Sequence, residues 1–165
     1  SSNREELIKL AKEVRENSFA PYSKFKVGST VVTKTGKIYS GCNVESASYG
    51  LTVCAERVAI WKAISEGERE LAEIVVVADT EKLTPPCGVC RQIIWEFCGD
   101  VSVTLANLQG KVETISMKEL LPRAFDTKFL KNGLMSFGKK IPEHMKNGMY
   151  LVFPYLVLTL LLSLL

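Results

Sequence analysis

The sequence predicts an α/β fold, a three-layer helix-sheet-helix sandwich around a mixed sheet of about five strands. Two observations carry this prediction. Segments with helical periodicity alternate with short apolar runs along the chain, in the order α-β-β-α-β-α-β-β-α. One of these runs, residues 74–78 (IVVVA), is continuously apolar, which is typical of a strand covered on both faces.

The first half of the chain contains two predicted helices and a hairpin. Apolar residues at helical spacing predict one helix over 4–17 and another over 54–65. Between them, two apolar runs at 27–33 and 38–43 predict strands. The tight turn at 35–37, which contains a glycine, joins these strands as a β-hairpin.

The second half begins with the buried strand and continues beyond a loop that two prolines open. Each later element is predicted from a short apolar run or from helical spacing. In chain order these elements are the strand 74–78, the loop at 85–86, a helix through 93–97, strands over 101–106 and 111–115, and a short helix over 117–121.

Bulk composition fits a globular protein and excludes several functional classes. The 165 residues suit one domain, and the net charge of +3 lacks the basic surplus typical of nucleic-acid binding. The number of cysteines is odd, at five, and the polar start has no apolar signal-peptide core. We therefore expect a cytoplasmic protein whose clustered cysteines bind metal or do chemistry.

Three of the cysteines stand where loops enter predicted helices. Cys54 comes two residues before Glu56, and Cys87 and Cys90 have the C-x-x-C spacing that lets two sulfurs bind one tetrahedral zinc ion. The positive dipole end of a helix start favours thiolate over thiol. Three protein ligands leave a fourth position for water, whose pKa the metal lowers. The pattern predicts a catalytic zinc site in which Glu56 moves protons.

Such a site needs a positive charge close to its sulfurs. Three thiolates on one Zn²⁺ give a net negative charge, which weakens the activation of water. Arg57 follows Glu56 directly, and Arg91 follows Cys90. We expect Arg57, and as a second candidate Arg91, to donate hydrogen bonds to sulfur.

A C-x-x-C pair by itself is also typical of structural zinc sites and redox pairs. A structural site needs a fourth ligand, and the candidates are Cys42, Cys98 and His144. Cys98 lies about 12 Å along the helix from Cys90, too far for the same metal. Cys42 suits a small core residue and His144 a surface residue. With C-A-E and a proline upstream, the whole pattern matches the signature of zinc-dependent deaminases, which favours a catalytic site.

Several longer stretches stand in a fixed order around the cysteines. They are 21–28 (PYSKFKVG), 41–50 (GCNVESASYG), 54–57 (CAER), 86–92 (PCGVCRQ) and 119–125 (ELLPRAF). In this order they resemble the short, homotetrameric cytidine deaminases, over about two thirds of the chain. The resemblance implies a single zinc-dependent deaminase domain over 1–125, with one Zn²⁺ per subunit.

The resemblance also implies roles for residues around a nucleoside. Asn43 and Glu45, two apart on a strand and so on one face, would hold the ribose 3′-hydroxyl. Phe25 would stack on the base or line its pocket, and Ala55 would present backbone groups to the pyrimidine edge. Glu56 would protonate N3 and pass a proton to the leaving ammonia. Without the family pattern, Asn43 and Glu45 suit a solvated strand end, and Phe25 a core residue.

Two further residues imply an oligomer. Phe125 would close the pocket of a neighbouring subunit, and Tyr49 would lie at the same interface. The expected assembly is therefore a homotetramer with shared active sites and a small-molecule nucleoside as its substrate. The balanced charge argues against a nucleic-acid partner, which would need a basic face with aromatic platforms.

The function expected from these features is hydrolytic deamination of cytidine and deoxycytidine to uridine and deoxyuridine, in pyrimidine salvage. Two alternatives stay open. One is deamination of a cytosine nucleoside antibiotic such as blasticidin S by a relative with the same metal motif. The other is a zinc-stabilised interaction module without catalysis, which a fourth protein sulfur on the metal would support.

Residues 126–165 form an atypical C-terminal extension of unknown role. Its apolar run, 149–165, is short for a bilayer span and contains Pro154. Three interpretations compete: a tail anchor, an element packed on the domain, and a non-native extension from a shifted reading frame. We favour the last, so membrane contact is not the preferred interpretation.

Overall fold

The structure is a computed structural model that describes residues 4–130. The contacts divide the chain into two units, 1–125 and 126–165, and the fold described below is that of the first. The role of the second unit stays a prediction, and its apolar run at 149–165 lies outside the described residues. Within 4–130, no helix combines the length and apolar character that a membrane span requires.

Five strands and four α-helices build the first unit, together with a short 3₁₀ helix at Tyr49–Leu51. The helices are α1 (Arg4–Arg15), α2 (Ala55–Ser65), α3 (Gly88–Cys98) and α4 (Met117–Leu120). The strands are β1 (Val27–Thr33), β2 (Ile38–Cys42), β3 (Leu71–Ala78), β4 (Ser102–Asn107) and β5 (Val112–Ser116).

The strands form one mixed sheet in the order β2-β1-β3-β4-β5. β1 pairs antiparallel with both β2 and β3, and β4 pairs antiparallel with β5. β3 and β4 run parallel, because the crossover through α3 returns the chain to the end of the sheet at which β3 begins. The loop that leads into α3 lies at the opposite end, where β3 finishes.

Side chains on the two faces of β3 enter two separate cores. Ile74 and Val76 pack in the cluster that contains residues of α2 and α3, whereas Val75 and Val77 pack against α1. Because successive strand residues point to opposite faces, a continuously apolar strand needs cover on both. The predicted three-layer sandwich around a mixed five-stranded sheet is confirmed.

Close helix packing fixes the position of α2, which begins at the site. Gly41 in β2 lies directly under this helix, and a Cβ atom there would come within 2.5 Å of the Ala59 backbone nitrogen. No other residue leaves room for so close an approach. The start of α2, and Cys54 just before it, are therefore held rigidly against the sheet.

Most predicted boundaries differ from the structure by one to three residues, and two of these differences have a clear local reason. The first helix ends at Arg15 rather than 17, since the backbone turns through Glu16 and Asn17. The second strand ends at Cys42 rather than Asn43. At Asn43 the side-chain Oδ1 accepts the hydrogen bond from the Val27 N–H at 2.8 Å, while the Asn43 carbonyl accepts from the Phe19 N–H instead.

Candidate active site and metal centre

A cavity of about 220 Å³ opens beside the starts of α2 and α3. It brings together seven of the residues that the sequence singled out. They are Phe25, Asn43, Glu45, Cys54, Ala55, Glu56 and Cys87. These residues come from the segment just before β1, the segment just after β2, and the starts of α2 and α3.

The three cysteines converge because each belongs to a helix start. Cys54 is the N-cap of α2 and Cys87 the N-cap of α3, and Cys90 lies in the first turn of α3. The Cys90 N–H donates to Cys87 Sγ at 3.5 Å, so the cap also orients this sulfur. The three Sγ atoms lie within 4.8 Å of one another.

This donor set fits a zinc ion. Cys54 Sγ and Cys87 Sγ are 3.8 Å apart, and two sulfurs bound tetrahedrally at about 2.3 Å from one zinc stand about 3.8 Å apart. Cys42 and Cys98 do not join the cluster among the described residues, and His144 lies outside them. The described part of the chain therefore supplies three ligands, which leaves one tetrahedral position for water or substrate.

The cluster favours a thiolate even before a metal binds. Hydrogen bonding from Cys90, assisted by Arg57, lowers the pKa of Cys54 to about 5. The same hydrogen bond raises the pKa of Cys90, because its thiol is the donor. Cys98, at the other end of α3, differs, since burial alone raises the pKa of its thiol to about 12. A low-pKa thiolate is the form that ligates metal.

Glu56 is a buried carboxyl group beside these sulfurs. Only 4% of the residue is exposed, and burial, with a contribution from the charge of Cys54, raises its pKa to about 7. A carboxyl group with a pKa near the working pH can both accept and donate a proton. This property is the one required of a proton shuttle, the role that the sequence predicted for Glu56.

Arg57 lies where the sequence placed it. Its Nη2 donates to Cys54 Sγ at 3.7 Å and to the Thr52 carbonyl at 3.0 Å, and the guanidinium lies over Trp61 at 5.7 Å. The positive charge is therefore fixed next to a ligand sulfur, which offsets part of the negative charge of three thiolates. That Arg57 tunes the metal stays a prediction.

Arg91, the second candidate for sulfur contact, makes different bonds. Its Nε donates to the Pro86 carbonyl at 2.8 Å, and its Nη1 donates to the Leu120 carbonyl at 3.1 Å. The guanidinium is thus engaged by backbone oxygens and links the loop before Cys87 to the end of α4. The expected hydrogen bond to sulfur is not among these contacts, so Arg91 fastens backbone segments together.

Asn43 and Glu45 line the other end of the cavity. Asn43 is buried, and besides accepting from the Val27 N–H it donates from Nδ2 to the Phe25 carbonyl at 2.8 Å. Glu45 accepts from the backbone N–H groups of Tyr22 and Ser23 at 2.9 and 3.2 Å. The hydrogen bond from the Ser23 hydroxyl is the main reason that the pKa of Glu45 is lowered.

The remaining predicted residues divide between the cavity and the surface. Phe25 and Ala55 line the cavity. Tyr49 is 73% exposed and packs edge-on against Tyr22 in a neighbouring depression, and Phe125 is 56% exposed. The structure of one chain therefore does not bring Tyr49 and Phe125 into the cavity, and their roles at a subunit interface stay predictions.

Six residues that line the cavity were not predicted as site residues. They are Ser23, Val27, Thr52, Val76, Thr84 and Pro85. Pro85 adjoins the C-x-x-C motif and could have been found from that proximity. Ser23 and Thr52 reach the cavity through the tertiary fold, so spacing along the chain does not reveal them.

The match to a family model decides the assignment. The model of the cytidine and deoxycytidylate deaminase zinc-binding region matches residues 1–106. The chain belongs to the cytidine and deoxycytidylate deaminase family. This membership confirms the resemblance inferred from the sequence, and the three-cysteine cluster is accordingly a zinc site.

Individual members of the family are similar over most of their length. A cytidine deaminase of Halalkalibacterium halodurans is 52% identical over 124 residues, which cover 74% of this chain and 94% of the relative. A crystal structure of cytidine deaminase from Burkholderia pseudomallei aligns with a TM-score of 0.73 and 48% identity, over 74% of this chain and 99% of that one. A blasticidin-S deaminase of Bacillus cereus is 33% identical, over 71% of this chain and 88% of the relative.

Proposed function

We propose that the protein is a zinc-dependent hydrolytic deaminase that converts cytidine and deoxycytidine to uridine and deoxyuridine. One observation carries the proposal: a buried carboxyl group, Glu56, adjoins a three-cysteine zinc site in a cavity of about 220 Å³ that Asn43 and Glu45 also line. The 52% identity to a cytidine deaminase over most of its length supports the same substrate class.

The chemistry divides between the metal and Glu56. When bound, zinc supplies a Lewis acid that lowers the pKa of a water molecule and makes hydroxide available near neutral pH. Glu56 accepts the proton that the attacking water loses as its oxygen bonds to C4 of cytosine, and delivers this proton to N3. The carboxyl then moves the hydroxyl proton to the amino group. The C4–N4 bond breaks, and ammonia leaves uridine behind.

The other end of the cavity is suited to hold the sugar. The Asn43 amide and the Glu45 carboxylate offer a donor and an acceptor to a ribose hydroxyl. Phe25 supplies an aromatic surface for the base. Ala55, in the first turn of α2, has backbone groups beside the cavity that can meet the polar edge of a pyrimidine.

The proposal includes a homotetramer with shared active sites. It rests on the resemblance of the sequence to homotetrameric deaminases, and the exposure of Phe125 and Tyr49 is compatible with contacts to a neighbouring subunit. A cytoplasmic location and a role in pyrimidine salvage belong to the same proposal and follow from the substrate class.

Deamination of blasticidin S is the second candidate, and the 33% identity to a blasticidin-S deaminase is the observation that favours it. The identity to cytidine deaminases is higher, and Glu45 with Asn43 suits an ordinary ribose. A zinc-stabilised module without catalysis is disfavoured, since a buried carboxyl at an open metal site has no role in such a module.

The test is the loss of cytosine absorbance when zinc-replete protein meets cytidine, deoxycytidine and blasticidin S in parallel. We expect rapid loss with both nucleosides. Turnover of blasticidin S alone would place the chain with the antibiotic deaminases. The absence of turnover with all three, in protein that contains one zinc per chain, would contradict the proposal.

A further inference from the structure

A turn at residues 20–24 encloses the Glu45 carboxylate. The turn closes with the Lys24 N–H donating to the Ala20 carbonyl at 3.1 Å, and Lys24 has a positive φ of 59°. Two consecutive backbone N–H groups, of Tyr22 and Ser23, point at one oxygen of Glu45, Oε2. Consecutive N–H groups of this kind form a concave binding site for an anion.

The Ser23 hydroxyl completes the enclosure from the other side. It donates to Glu45 Oε1, the oxygen that the backbone leaves open. The same hydroxyl accepts a hydrogen bond from the Phe25 N–H at 3.0 Å. One side chain therefore links the carboxylate at the sugar end of the cavity to the residue proposed to face the base, and Ser23 itself lines the cavity.

The acceptor capacity of Glu45 shows what this arrangement leaves for a substrate. A carboxylate offers about four lone-pair positions, and the turn occupies both on Oε2 and one on Oε1. One position, on Oε1, has no partner among residues 4–130. Asn43 likewise retains one N–H, because its other N–H donates to Phe25. A single substrate hydroxyl can accept from Asn43 and donate to Glu45.

We infer that Ser23 is a positioning residue for sugar recognition: its hydroxyl directs the remaining acceptor position of Glu45 at one hydroxyl of the nucleoside. The inference rests on the proposed function, in which the 3′-hydroxyl of the nucleoside binds Asn43 and Glu45. Without the Ser23 hydroxyl, Oε1 loses its fixed partner, and the carboxylate can rotate away from the cavity or bind water instead.

The experiment compares 2′-deoxycytidine with 2′,3′-dideoxycytidine, which differ only in the 3′-hydroxyl. The ratio of their kcat/KM values measures how much that hydroxyl contributes. We expect Ser23→Ala to lower this ratio about tenfold, since one hydrogen bond to a charged group is disrupted. Ser23→Thr, which retains the hydroxyl, should keep the ratio within about twofold of the wild-type value. A merely structural role would lower both kcat/KM values equally.

Two further variants guard against a folding defect. Ser23→Cys keeps the shape of the side chain with a weak donor, and should also lower the ratio. Ser65→Ala is the matched control, because Ser65 is exposed and donates to the Lys62 carbonyl at the end of α2. The variants are assayed at equal zinc content, and their melting temperatures are measured to show that each one is folded at the assay temperature.

An unchanged ratio in Ser23→Ala and Ser23→Cys, with wild-type protein preferring 2′-deoxycytidine, would overturn the inference alone. Equal turnover of both nucleosides by wild-type protein would also overturn it, because the 3′-hydroxyl would then have no partner. Failure of zinc-replete wild-type protein to turn over either nucleoside, or cytidine itself, would instead count against the proposed function.

Discussion

The two ends of the cavity are built in different ways. At the metal end, the sulfurs and Glu56 are held by the starts of α2 and α3, and α2 packs closely on the sheet at Gly41. At the end proposed to hold the sugar, Glu45 accepts hydrogen bonds from the turn at 20–24, and Asn43 exchanges hydrogen bonds with Phe25 and Val27, just after that turn. In the proposed function, the chemistry therefore depends on helix geometry, whereas sugar recognition depends on hydrogen bonds between segments distant in sequence. Substitutions at the metal end should therefore abolish zinc binding or lower kcat, whereas substitutions at the other end should lower kcat/KM or stability.

The largest effect is expected from the metal ligands. Cys87→Ala should remove zinc and lower kcat/KM for cytidine by on the order of 10³ or more, because no other group in the site activates water. Cys98→Ala, at the opposite end of α3, is the matched control and should keep one zinc per chain. Metal analysis and a cytidine assay measure both properties. Loss of zinc in Cys98→Ala but not in Cys87→Ala would contradict the assignment.

Glu56→Gln should be nearly as severe but should spare the metal. An amide of the same shape cannot move protons, so we expect kcat to fall by about 10² to 10⁴. The zinc content and the affinity for a non-reactive nucleoside should change little. Near-normal turnover with zinc in place would show that another group shuttles the proton.

Asn43→Ala should lower turnover less than the two preceding variants, because it removes one donor to a substrate hydroxyl, and it should also lower stability. The amide bonds both the Val27 N–H and the Phe25 carbonyl, and it is buried. Its loss should lower the free energy of unfolding by about 2 kcal/mol, seen as a drop in melting temperature. Glu45→Gln, at a less buried site, should lower kcat/KM with little change in melting temperature. Equal melting temperatures of the two variants would contradict a structural role for the Asn43 hydrogen bonds to Phe25 and Val27.

The metal end was largely predictable from the sequence, for a physical reason. The i, i+3 spacing of Cys87 and Cys90 places both sulfurs at one helix start, and Cys54 precedes a second helix. Helical geometry converts such spacing into distance without reference to the rest of the fold. Alternation and apolar runs predicted the sheet and its helical layers in the same way.

The sugar end was less predictable, because its contacts join distant segments. The sequence placed Asn43 and Glu45 on one strand face, but β2 ends at Cys42, and the two side chains bond to the segment 22–27. Ser23 lies within the stretch 21–28 that contributes to the resemblance, but nothing in the sequence assigned it a role of its own. Arg91 was a second candidate for a sulfur contact because it follows Cys90, whereas in the fold it donates to the Leu120 carbonyl, 29 residues away.

The most direct test of the account is the coordination of the metal in the full-length protein, measured by X-ray absorption at the zinc edge. An open catalytic site predicts three sulfur ligands at about 2.3 Å and one oxygen or nitrogen ligand at about 2.0 Å. Addition of cytidine should leave the sulfur shell unchanged. Four sulfur ligands would contradict the account, because the metal would then be closed to water and could only hold the fold together.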